Sequence, residues 1–156
     1  MKVHGWTFYW HKAFQIIYSN LLSEVVKLSE KDPDHFDQHP TFKLYESVNN
    51  CIFHRVAPDP AHKQFNLGDT FRERNMKHWR RVKKGMPYRF RLFFQYNSGE
   101  GAILLAWLND HSTLRKHNAK TDVYTVFKKK VASGEIPNSF NDLLKECTAA
   151  QIQKSS

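Results

Sequence analysis

Apolar residues recur every three or four positions in the first third of the chain, which is typical of amphipathic helices. This spacing predicts one helix over residues 11–28 and a second helix over residues 41–54. Between them, Asp32-Pro33 supplies an N-cap and a favourable first position for a further helical segment, and Pro40 marks a kink or a restart. The sequence Pro58-Asp59-Pro60 ends the second helix, because neither proline donates a backbone hydrogen bond.

The middle of the chain changes to a period of two, which is typical of β-strands. Residues 78–96 predict a two-stranded antiparallel hairpin with its turn at Gly85-Met86-Pro87. The nearly continuous apolar run over residues 102–108 predicts an inner strand that is covered on both faces. Residues 64–72 predict a further strand, and the aromatic run over residues 4–10 predicts a short strand or an extended arm.

Strand parity sorts the side chains of the predicted hairpin into two faces, because neighbouring residues point in opposite directions. The second strand is expected to place aromatic and aliphatic residues on one face, and two arginines with one phenylalanine on the other. The aromatic row is Tyr88, Phe90, Leu92, Phe94 and Tyr96, the opposite row is Arg89, Arg91 and Phe93, and the first strand contributes Trp79, Arg81 and Lys83. The hairpin therefore predicts a basic, partly aromatic surface.

The last quarter of the chain returns to helical signals. Thr121-Asp122 caps a predicted helix that ends at Gly134, and a shorter helix follows over residues 139–147. A polar tail from about residue 149 is predicted to be flexible. The order of helices, strands and helices predicts an α+β fold, in which N-terminal and C-terminal helices pack on an antiparallel β-sheet. No repeat interrupts the pattern, so residues 1–156 are expected to form a single domain.

The distribution of charge indicates the kind of partner. The chain has 156 residues and a formal net charge of +9, which favours polyanions such as nucleic acids. Nine basic residues and one acidic residue lie between Arg72 and Arg91, whereas six acidic and three basic residues lie between Asn20 and Asn50. Almost all of the excess positive charge therefore lies in and just before the predicted hairpin.

Cysteine usage and apolar content argue against several classes of protein. Cys51 and Cys147 match no metal or redox spacing, and no pair of histidines has the spacing of metal ligands. No run of about 18 apolar residues predicts a membrane span, and the N-terminus lacks the layout of a signal peptide. We therefore expect a cytoplasmic protein with reduced cysteines and without a metal or cofactor.

Several motifs carry a resemblance to a known family of proteins. In chain order they are Gly5-Trp6-x-x-Tyr9, Trp79-x-Arg81-Val82-Lys83, Arg89-Phe90-Arg91-Leu92-Phe93-Phe94-x-Tyr96, Ala106-Trp107-Leu108-Asn109-Asp110-x-x-Thr113-Leu114-Arg115 and Lys120-Thr121-Asp122-x-Tyr124-x-x-Phe127. These motifs span nearly the whole chain. With them, the sequence resembles the YhaV family of toxins.

This resemblance implies both a fold and an activity. YhaV toxins are similar to the RelE superfamily, whose members are small α+β ribonucleases and act as the toxins of type II toxin–antitoxin pairs. The resemblance thus implies a RelE-like fold, cleavage of messenger RNA, and inhibition of translation and growth. It also implies a cognate antitoxin with an AbrB-like swapped-hairpin DNA-binding domain, through which alone the toxin would reach operator DNA.

Cleavage of RNA without a metal requires a base for the 2′-hydroxyl, a cation for the phosphorane-like transition state, and an acid for the departing 5′-oxygen. Arg89 and Arg91 are predicted to supply the cation, because a guanidinium group holds two phosphate oxygens and stays charged. Lys83 or Lys84 is a candidate acid or base, since a crowded cationic site disfavours the ammonium form. Tyr124 is a candidate for acid–base catalysis or for stacking on a base.

Further candidates follow from the resemblance and from the charge of the hairpin. By comparison with the RelE pattern, the implied site residues are Lys83 or Lys84, Arg91, Arg115 or Lys120, and Tyr124. The predicted RNA-binding residues of the hairpin are Trp79, Arg80, Arg81 and Lys84. Arg115 has a structural alternative, as the ion-pair partner of Asp110 or Asp122.

Other readings of the same residues stay open at the level of sequence. Two of the histidines His78, His111 and His117 can act as acid and base instead. A basic hairpin also suits a non-catalytic RNA- or DNA-binding module, because charge alone does not separate binding from cleavage. A third alternative is a toxin that cleaves RNA only on the ribosome.

Overall fold

A six-stranded sheet forms the centre of the molecule in a computed structural model, which describes residues 1–68, 70–71 and 73–153. Its strands are β1 (Lys2–Val3), β2 (Trp6–His11), β3 (Arg80–Val82), β4 (Leu92–Asn97), β5 (Ala102–Leu108) and β6 (Cys147–Ala149). Across the sheet the order is β1-β2-β5-β4-β3, and β6 also pairs with β2. Every residue of β5 is buried, as the apolar run predicted.

Helices cover both faces of the sheet. They are α1 (Lys12–Lys31), α2 (Pro40–Cys51), α3 (Val123–Ala132) and α4 (Phe140–Lys145). On one face, Phe14 of α1 and Val48 of α2 join Phe94 in a hydrophobic cluster. On the other face, Phe127 of α3 stacks on Phe93 with the ring centroids 4.0 Å apart. Neighbouring residues of β4 thus serve two cores, because their side chains point to opposite faces. Among the described residues, no helix is long and apolar enough to cross a membrane.

The α+β class predicted from the sequence is confirmed, but one pair of strands differs in direction from the prediction. β2 and β5 run parallel, whereas the other paired strands are antiparallel. A parallel neighbour is possible because the connection from β2 to β5 runs through two helices and the β3–β4 pair. Apolar patterns predict burial and carry no information about strand direction, so the sequence did not reveal that the sheet is mixed.

The N-terminal helices agree with the prediction except at the segment that joins them. Pro40 is the first residue of α2, as expected for a restart. Asp32 does not cap a new helix, because its backbone N–H donates to the Leu28 carbonyl over 2.8 Å and so ends α1. The segment before α2 contains only a short 3₁₀ turn, Phe36–Gln38.

The strand predicted over residues 64–72 is wrong. A short 3₁₀ turn spans Lys63–Phe65, and none of the described residues in this segment, 64–68, 70 and 71, forms a strand. Leu67 and Phe71 are nevertheless buried in the cluster beside α3. Apolar residues at this spacing can anchor an irregular loop as well as a strand, and the pattern does not distinguish the two.

The C-terminal segment packs on the sheet through β6 and the residues after it. The Ala150 N–H donates to the Phe8 carbonyl over 3.1 Å, and the Gln153 N–H donates to the Tyr18 hydroxyl over 3.1 Å. The flexibility predicted for the tail from about residue 149 stays a prediction. Residues 154–156 of that predicted tail lie outside the described residues.

Candidate active site

The loop that joins β3 to β4 carries four of the ten predicted site residues, Lys83, Lys84, Arg89 and Arg91. It spans residues 83–91, so both strands are shorter than the hairpin predicted over residues 78–96. Gly85 has a φ of +91°, which residues with a side chain rarely adopt. A β-carbon added to Gly85 would lie 2.6 Å from the Arg55 Nε and 3.0 Å from the Cys51 Sγ. Glycine therefore lets this loop pack closely against the end of α2.

The second half of the loop contains a tight turn with an unusual backbone conformation. The Phe90 N–H donates to the Pro87 carbonyl over 3.1 Å, which closes a β-turn with Tyr88 and Arg89 at its corners. Arg89 has a φ of +73°, a left-handed conformation that costs a non-glycine residue about 1–2 kcal/mol. This conformation breaks the predicted alternation, so Tyr88 is 83% exposed whereas Phe90 is buried.

A buried asparagine at the end of β5 holds this turn in place. Asn109 is 0% exposed. Its Oδ1 accepts from the Arg91 N–H over 2.7 Å, and its Nδ2 donates to the Arg89 carbonyl over 3.1 Å. The Arg115 N–H donates to the same carbonyl over 2.9 Å. These bonds fix the backbone on both sides of Phe90, and they leave Arg89 exposed and Arg91 buried.

A capping box follows Asn109 and fixes the next turn of the chain. The Asp110 Oδ1 accepts from the Ser112 N–H over 3.0 Å, from the Ser112 hydroxyl over 2.6 Å and from the Thr113 hydroxyl over 3.1 Å. Burial alone would raise the pKa of the Asp110 carboxyl, but these hydrogen bonds lower it below its ordinary value. The box directs the chain from β5 toward Arg115.

An open groove with a volume of about 600 Å³ lies beside the loop. Ligand pockets typically have volumes of about 300–1,000 Å³. Among the described residues, four cations and no carboxylate line this groove, so it favours an anionic chain such as a phosphate backbone. The cations are Arg81, Lys83, Lys84 and Arg91, and the other lining residues are Gln64, Gly85, Met86, Pro87 and Tyr88.

Three arginines converge on the side chain of Tyr124, and two of them, Arg81 and Arg91, line this groove. The Arg81 Nη1 donates to the Tyr124 Oη over 2.5 Å, and the Arg91 Nε donates to the same oxygen over 3.0 Å. The guanidinium carbon of Arg115 lies 5.0 Å from the centre of the Tyr124 ring, within the range of a cation–π interaction. The structure thus brings together Arg91, Arg115 and Tyr124, which were predicted to be catalytic. It adds Arg81, which was predicted only to bind RNA.

The buried position of Tyr124 argues against one of its predicted roles. Its side chain is 6% exposed, and its ring meets Phe71 and Phe93 edge to face. The guanidinium carbons of Arg81 and Arg115 lie 5.5 and 5.0 Å from the ring centre. The ring is therefore not available to stack on an RNA base, and the hydroxyl group is the part of Tyr124 that faces the arginines.

Arg91 is held as a buried cation. It is 7% exposed, and its Nη1 donates to the Phe90 carbonyl over 2.8 Å in addition to the bond from Nε to Tyr124. Among the described residues it forms no ion pair with a carboxylate. Burying a charge without an opposite charge is costly, so this guanidinium retains a strong tendency to bind an incoming anion.

Arg115 is held by an ion pair with the residue that caps α3. Its Nη1 lies 2.8 Å from the Asp122 Oδ1. The same carboxylate accepts from the Lys116 N–H over 2.6 Å and from the Tyr124 N–H over 3.2 Å. Asp122 therefore caps α3, as the sequence predicted. It is also the ion-pair partner of Arg115, for which the sequence had left both Asp110 and Asp122 open.

Some predicted site residues lie outside this cluster. The guanidinium carbon of Arg80 lies 5.4 Å from the centre of the Tyr96 ring, on the face of β3 opposite to the groove. The guanidinium carbon of Arg89 lies 5.0 Å from the centre of the Tyr88 ring, at the corner of the turn. Lys120 is exposed in the loop before α3. The Tyr124 hydroxyl accepts from Arg81 and Arg91 and not from Arg80, Arg89 or Lys120.

Trp79 is a core residue, which corrects its prediction as an RNA-binding residue. It is 1% exposed, and its ring meets Phe127 edge to face with the centroids 4.9 Å apart. Its indole N–H donates to the Asn138 Oδ1 over 2.7 Å. Strand parity placed Trp79 on the same face as Arg81, but α3 covers that face at the position of the tryptophan.

One of the three candidate histidines contacts the arginine cluster. The Arg115 Nη2 lies 3.2 Å from the His117 Nδ1, and because a guanidinium only donates, Arg115 is the donor in this contact. His78 bonds to the Asn138 carbonyl, and His111 meets the Phe90 ring edge to face. Within the described part of the chain, no group of three or more His, Cys, Asp or Glu side chains is placed to hold a metal ion.

Sequence reasoning missed two residues that shape the site. Asn109 was not among the predicted site residues, although a polar residue directly after an unbroken apolar strand is a signal for a buried hydrogen-bonding role. Strand parity places Tyr88 in the aromatic row of the hairpin, together with the buried Phe90 and Phe94. The proline before Tyr88 was the available signal, since proline seldom lies within a central strand.

Comparison with known proteins agrees with the motifs. The family model described as "Toxin with endonuclease activity, of toxin-antitoxin system" matches residues 8–148. The chain is 38% identical over 145 residues to the Ribonuclease toxin YhaV of Escherichia coli strain K12, which covers 93% of this chain and 94% of the relative. The identity and coverage are the same for the Toxin YhaV of Escherichia coli O157:H7. No solved structure matches the chain, so the likeness to the RelE fold stays a prediction. On the family match and this identity, the chain belongs to the YhaV family of toxins with endonuclease activity, from toxin–antitoxin systems.

Proposed function

We propose that this toxin is an endoribonuclease that acts in the cytoplasm, cleaves RNA without a metal ion, and thereby inhibits translation and growth. The observation that supports this most is that Arg81 and Arg91, which line a cationic groove, converge on the Tyr124 hydroxyl. A strand of RNA has the anionic backbone that such a groove favours. The relative from Escherichia coli strain K12 is named a ribonuclease toxin, which agrees with RNA as the substrate.

The proposed chemistry is an internal transfer at phosphorus. The 2′-oxygen loses its proton to a base and forms a bond to the adjacent phosphorus, while the bond from phosphorus to the 5′-oxygen breaks. An acid donates a proton to the departing 5′-oxygen. The products are a 2′,3′-cyclic phosphate and a 5′-hydroxyl. Negative charge grows on the non-bridging oxygens in the transition state, so cations fixed at that point lower the barrier.

Arg81 and Arg91 are suited to hold the phosphate during this transfer. Their guanidinium groups share one acceptor oxygen, which places them side by side before substrate binds. Loss of one preorganised electrostatic stabiliser typically lowers the rate by roughly 10²–10³. Arg115 adds positive charge to the same cluster, and its ion pair with Asp122 keeps it in place.

Lys83 and Lys84 are the proposed sources of a base or an acid. Both are exposed and line the groove beside the two arginines. Strand parity would place Lys83 on the same face as Arg81, but β3 ends at Val82 and parity does not extend into the loop. Both lysines therefore remain candidates, with His117 as the alternative that contacts the arginine cluster.

Tyr124 is proposed to position the arginines and to donate a proton. Its oxygen accepts a hydrogen bond from each of two guanidinium groups, and a hydroxyl oxygen has two lone pairs. Both lone pairs are then occupied, so the hydroxyl group can form a further hydrogen bond only by donating its proton. A proton donor held next to two phosphate-binding cations suits the departing 5′-oxygen.

Incubation of the purified protein with end-labelled RNA in EDTA tests the proposal. We expect cleavage that leaves 5′-hydroxyl ends, which a polynucleotide kinase labels without prior dephosphorylation, and 2′,3′-cyclic phosphate ends. RNA with a 2′-deoxy sugar at the mapped cut position should stay intact. Intact RNA together with salt-sensitive binding would instead show a non-catalytic module, and cleavage only in a translation extract would show dependence on the ribosome.

Substitution of Arg91 by lysine separates charge from geometry. The lysine keeps the positive charge and loses the planar fork, so we expect the cleavage rate to fall by roughly 10²-fold while RNA binding changes little. Arg80→Lys is the matched control, because Arg80 lies over Tyr96 on the opposite face of β3. Equal rates for the wild type and Arg91→Lys, at equal folded fractions, would remove Arg91 from the mechanism.

The proposed partner is an antitoxin with an AbrB-like swapped-hairpin DNA-binding domain, which alone would bind operator DNA. An acidic or amphipathic segment of this antitoxin is expected to lie in the groove, because it would neutralise the four lining cations and block the substrate. Replacing the acidic residues of that segment by their amides should weaken inhibition of the toxin. Full inhibition by the neutral segment would contradict this mode of binding.

A further inference from the structure

Tyr88 is an exposed aromatic side chain at the rim of the cationic groove. It is 83% exposed and lines the groove together with Lys83 and Lys84. The guanidinium carbon of Arg89 lies 5.0 Å from the centre of its ring. A single exposed apolar side chain is common on protein surfaces, as Ile16 on α1 illustrates. The position of Tyr88 beside four cations distinguishes it from such residues.

The backbone holds Tyr88 and Arg89 outward at a cost. Arg89 has a φ of +73°, a conformation that glycine adopts without strain. Hydrogen bonds from Asn109 and Arg115 to the Arg89 carbonyl maintain this conformation. A strained position that carries a long cationic side chain where glycine would fit points to a use for that side chain.

We infer that Tyr88 and Arg89 form a stacking platform for an unpaired base of the RNA strand. This inference rests on the proposed binding of RNA in the groove. The groove cations Arg81, Lys84 and Arg91 face the phosphates. The exposed Tyr88 ring, with the Arg89 guanidinium group over one of its faces, offers its other face to the base. Stacking requires a base that is not paired in a duplex, so the platform selects single-stranded RNA.

Binding of a labelled 2′-O-methyl RNA oligonucleotide, which lacks the attacking hydroxyl, tests the platform in the absence of cleavage. Tyr88→Ala is expected to weaken binding about 5- to 150-fold, the range of a single base–aromatic stack. Tyr88→Phe keeps the ring and is expected to bind like the wild type. Ile16→Ala, which removes an exposed apolar side chain from α1, is the matched control.

The salt dependence of binding distinguishes a base contact from a phosphate contact. Each phosphate contact to a single strand contributes about −0.7 to the slope of log affinity against log salt concentration. Tyr88→Ala should therefore weaken binding without changing this slope, whereas Lys84→Ala should make the slope shallower by about 0.7. A duplex of the same sequence should bind Tyr88→Ala and the wild type equally.

The inference would be overturned by wild-type affinity of Tyr88→Ala for the single-stranded oligonucleotide, or by equal losses of affinity for Tyr88→Ala and Tyr88→Phe. A change confined to inhibition by the antitoxin, with RNA binding retained, would overturn it too and would assign Tyr88 to the partner. If the protein binds the oligonucleotide through Tyr88 but cleaves no RNA, the endoribonuclease proposal fails and the platform stands. The two failures are therefore distinguishable.

Discussion

Replacement of Tyr124 by phenylalanine removes one oxygen atom from the centre of the candidate site. The ring stays, so its edge-to-face packing on Phe93 and the cation–π contact with Arg115 are retained. The change removes the acceptor that the Arg81 Nη1 and the Arg91 Nε share. Tyr124→Phe therefore measures what this hydroxyl group contributes to stability and to catalysis.

The two lost hydrogen bonds are not equivalent. A hydrogen bond to a charged group contributes about 1.5–3 kcal/mol to stability. Arg91 is 7% exposed, so water has little access to replace its lost acceptor, whereas Arg81 is only partly buried. We expect the free energy of unfolding to fall by about 1.5–3 kcal/mol, with Arg91 as the main cause. The cleavage rate should fall by roughly 10²–10³, because neither guanidinium group is held in position.

Urea unfolding followed by tryptophan fluorescence gives the stability, and single-turnover cleavage of labelled RNA gives the rate. Tyr96→Phe is the matched control, since Tyr96 of β4 also lies beneath an arginine, Arg80, but on the opposite face of the sheet. We expect this control to retain wild-type cleavage. A Tyr124→Phe protein that loses less than about 0.5 kcal/mol and cleaves RNA like the wild type would refute the role assigned to the hydroxyl group.

Other predictions concern the turns that build the site. Asn109→Ala leaves the Arg91 N–H without its acceptor, so urea titration should show that the free energy of unfolding is lower by about 1–3 kcal/mol. Wild-type stability of this variant would contradict the role of Asn109 in holding the turn. Arg89→Gly relieves the left-handed backbone and should be about 1–2 kcal/mol more stable than Arg89→Ala, whereas equal stabilities would show that the turn is not strained. The lowered pKa of Asp110 means that its carboxylate stabilises the fold above the ordinary Asp pKa of about 3.9, and that this contribution is lost as the pH falls through the folded-state pKa. Asp110→Ala should therefore destabilise the protein at neutral pH by about 0.5–2 kcal/mol and have almost no effect in strong acid; the same loss at both pH values would contradict a charge-dependent cap.

The sequence alone determined those features that depend on local pattern. The unbroken apolar run predicted β5 with its correct bounds, because a strand between two layers of helices has no polar face. Thr121-Asp122 predicted the start of α3, because an aspartate side chain satisfies the free N–H groups of a first helical turn. The motifs from Gly5 to Phe127 identified the family, which the comparisons confirmed.

Local pattern gave a wrong prediction where a residue adopts a backbone conformation that is unusual for its type. Alternation along the hairpin correctly separated Phe93 from Phe94. The same rule misplaced Tyr88, because the next residue, Arg89, has a left-handed backbone conformation and the chain leaves the strand geometry there. Glycine at that position would have signalled a turn, and arginine does not.

The candidate site itself was decided by tertiary structure. Residues from the edge strand, the following loop and α3 meet at one hydroxyl group, and only the packing of α3 on the sheet brings them together. The same packing buries Trp79 while it leaves the groove beside Arg81 open. The sequence thus determined which residues are cations and which strand faces are apolar, since these are properties of composition and period. Which cations converge depended on contacts between segments far apart in the chain, and periodicity carries no information about those contacts.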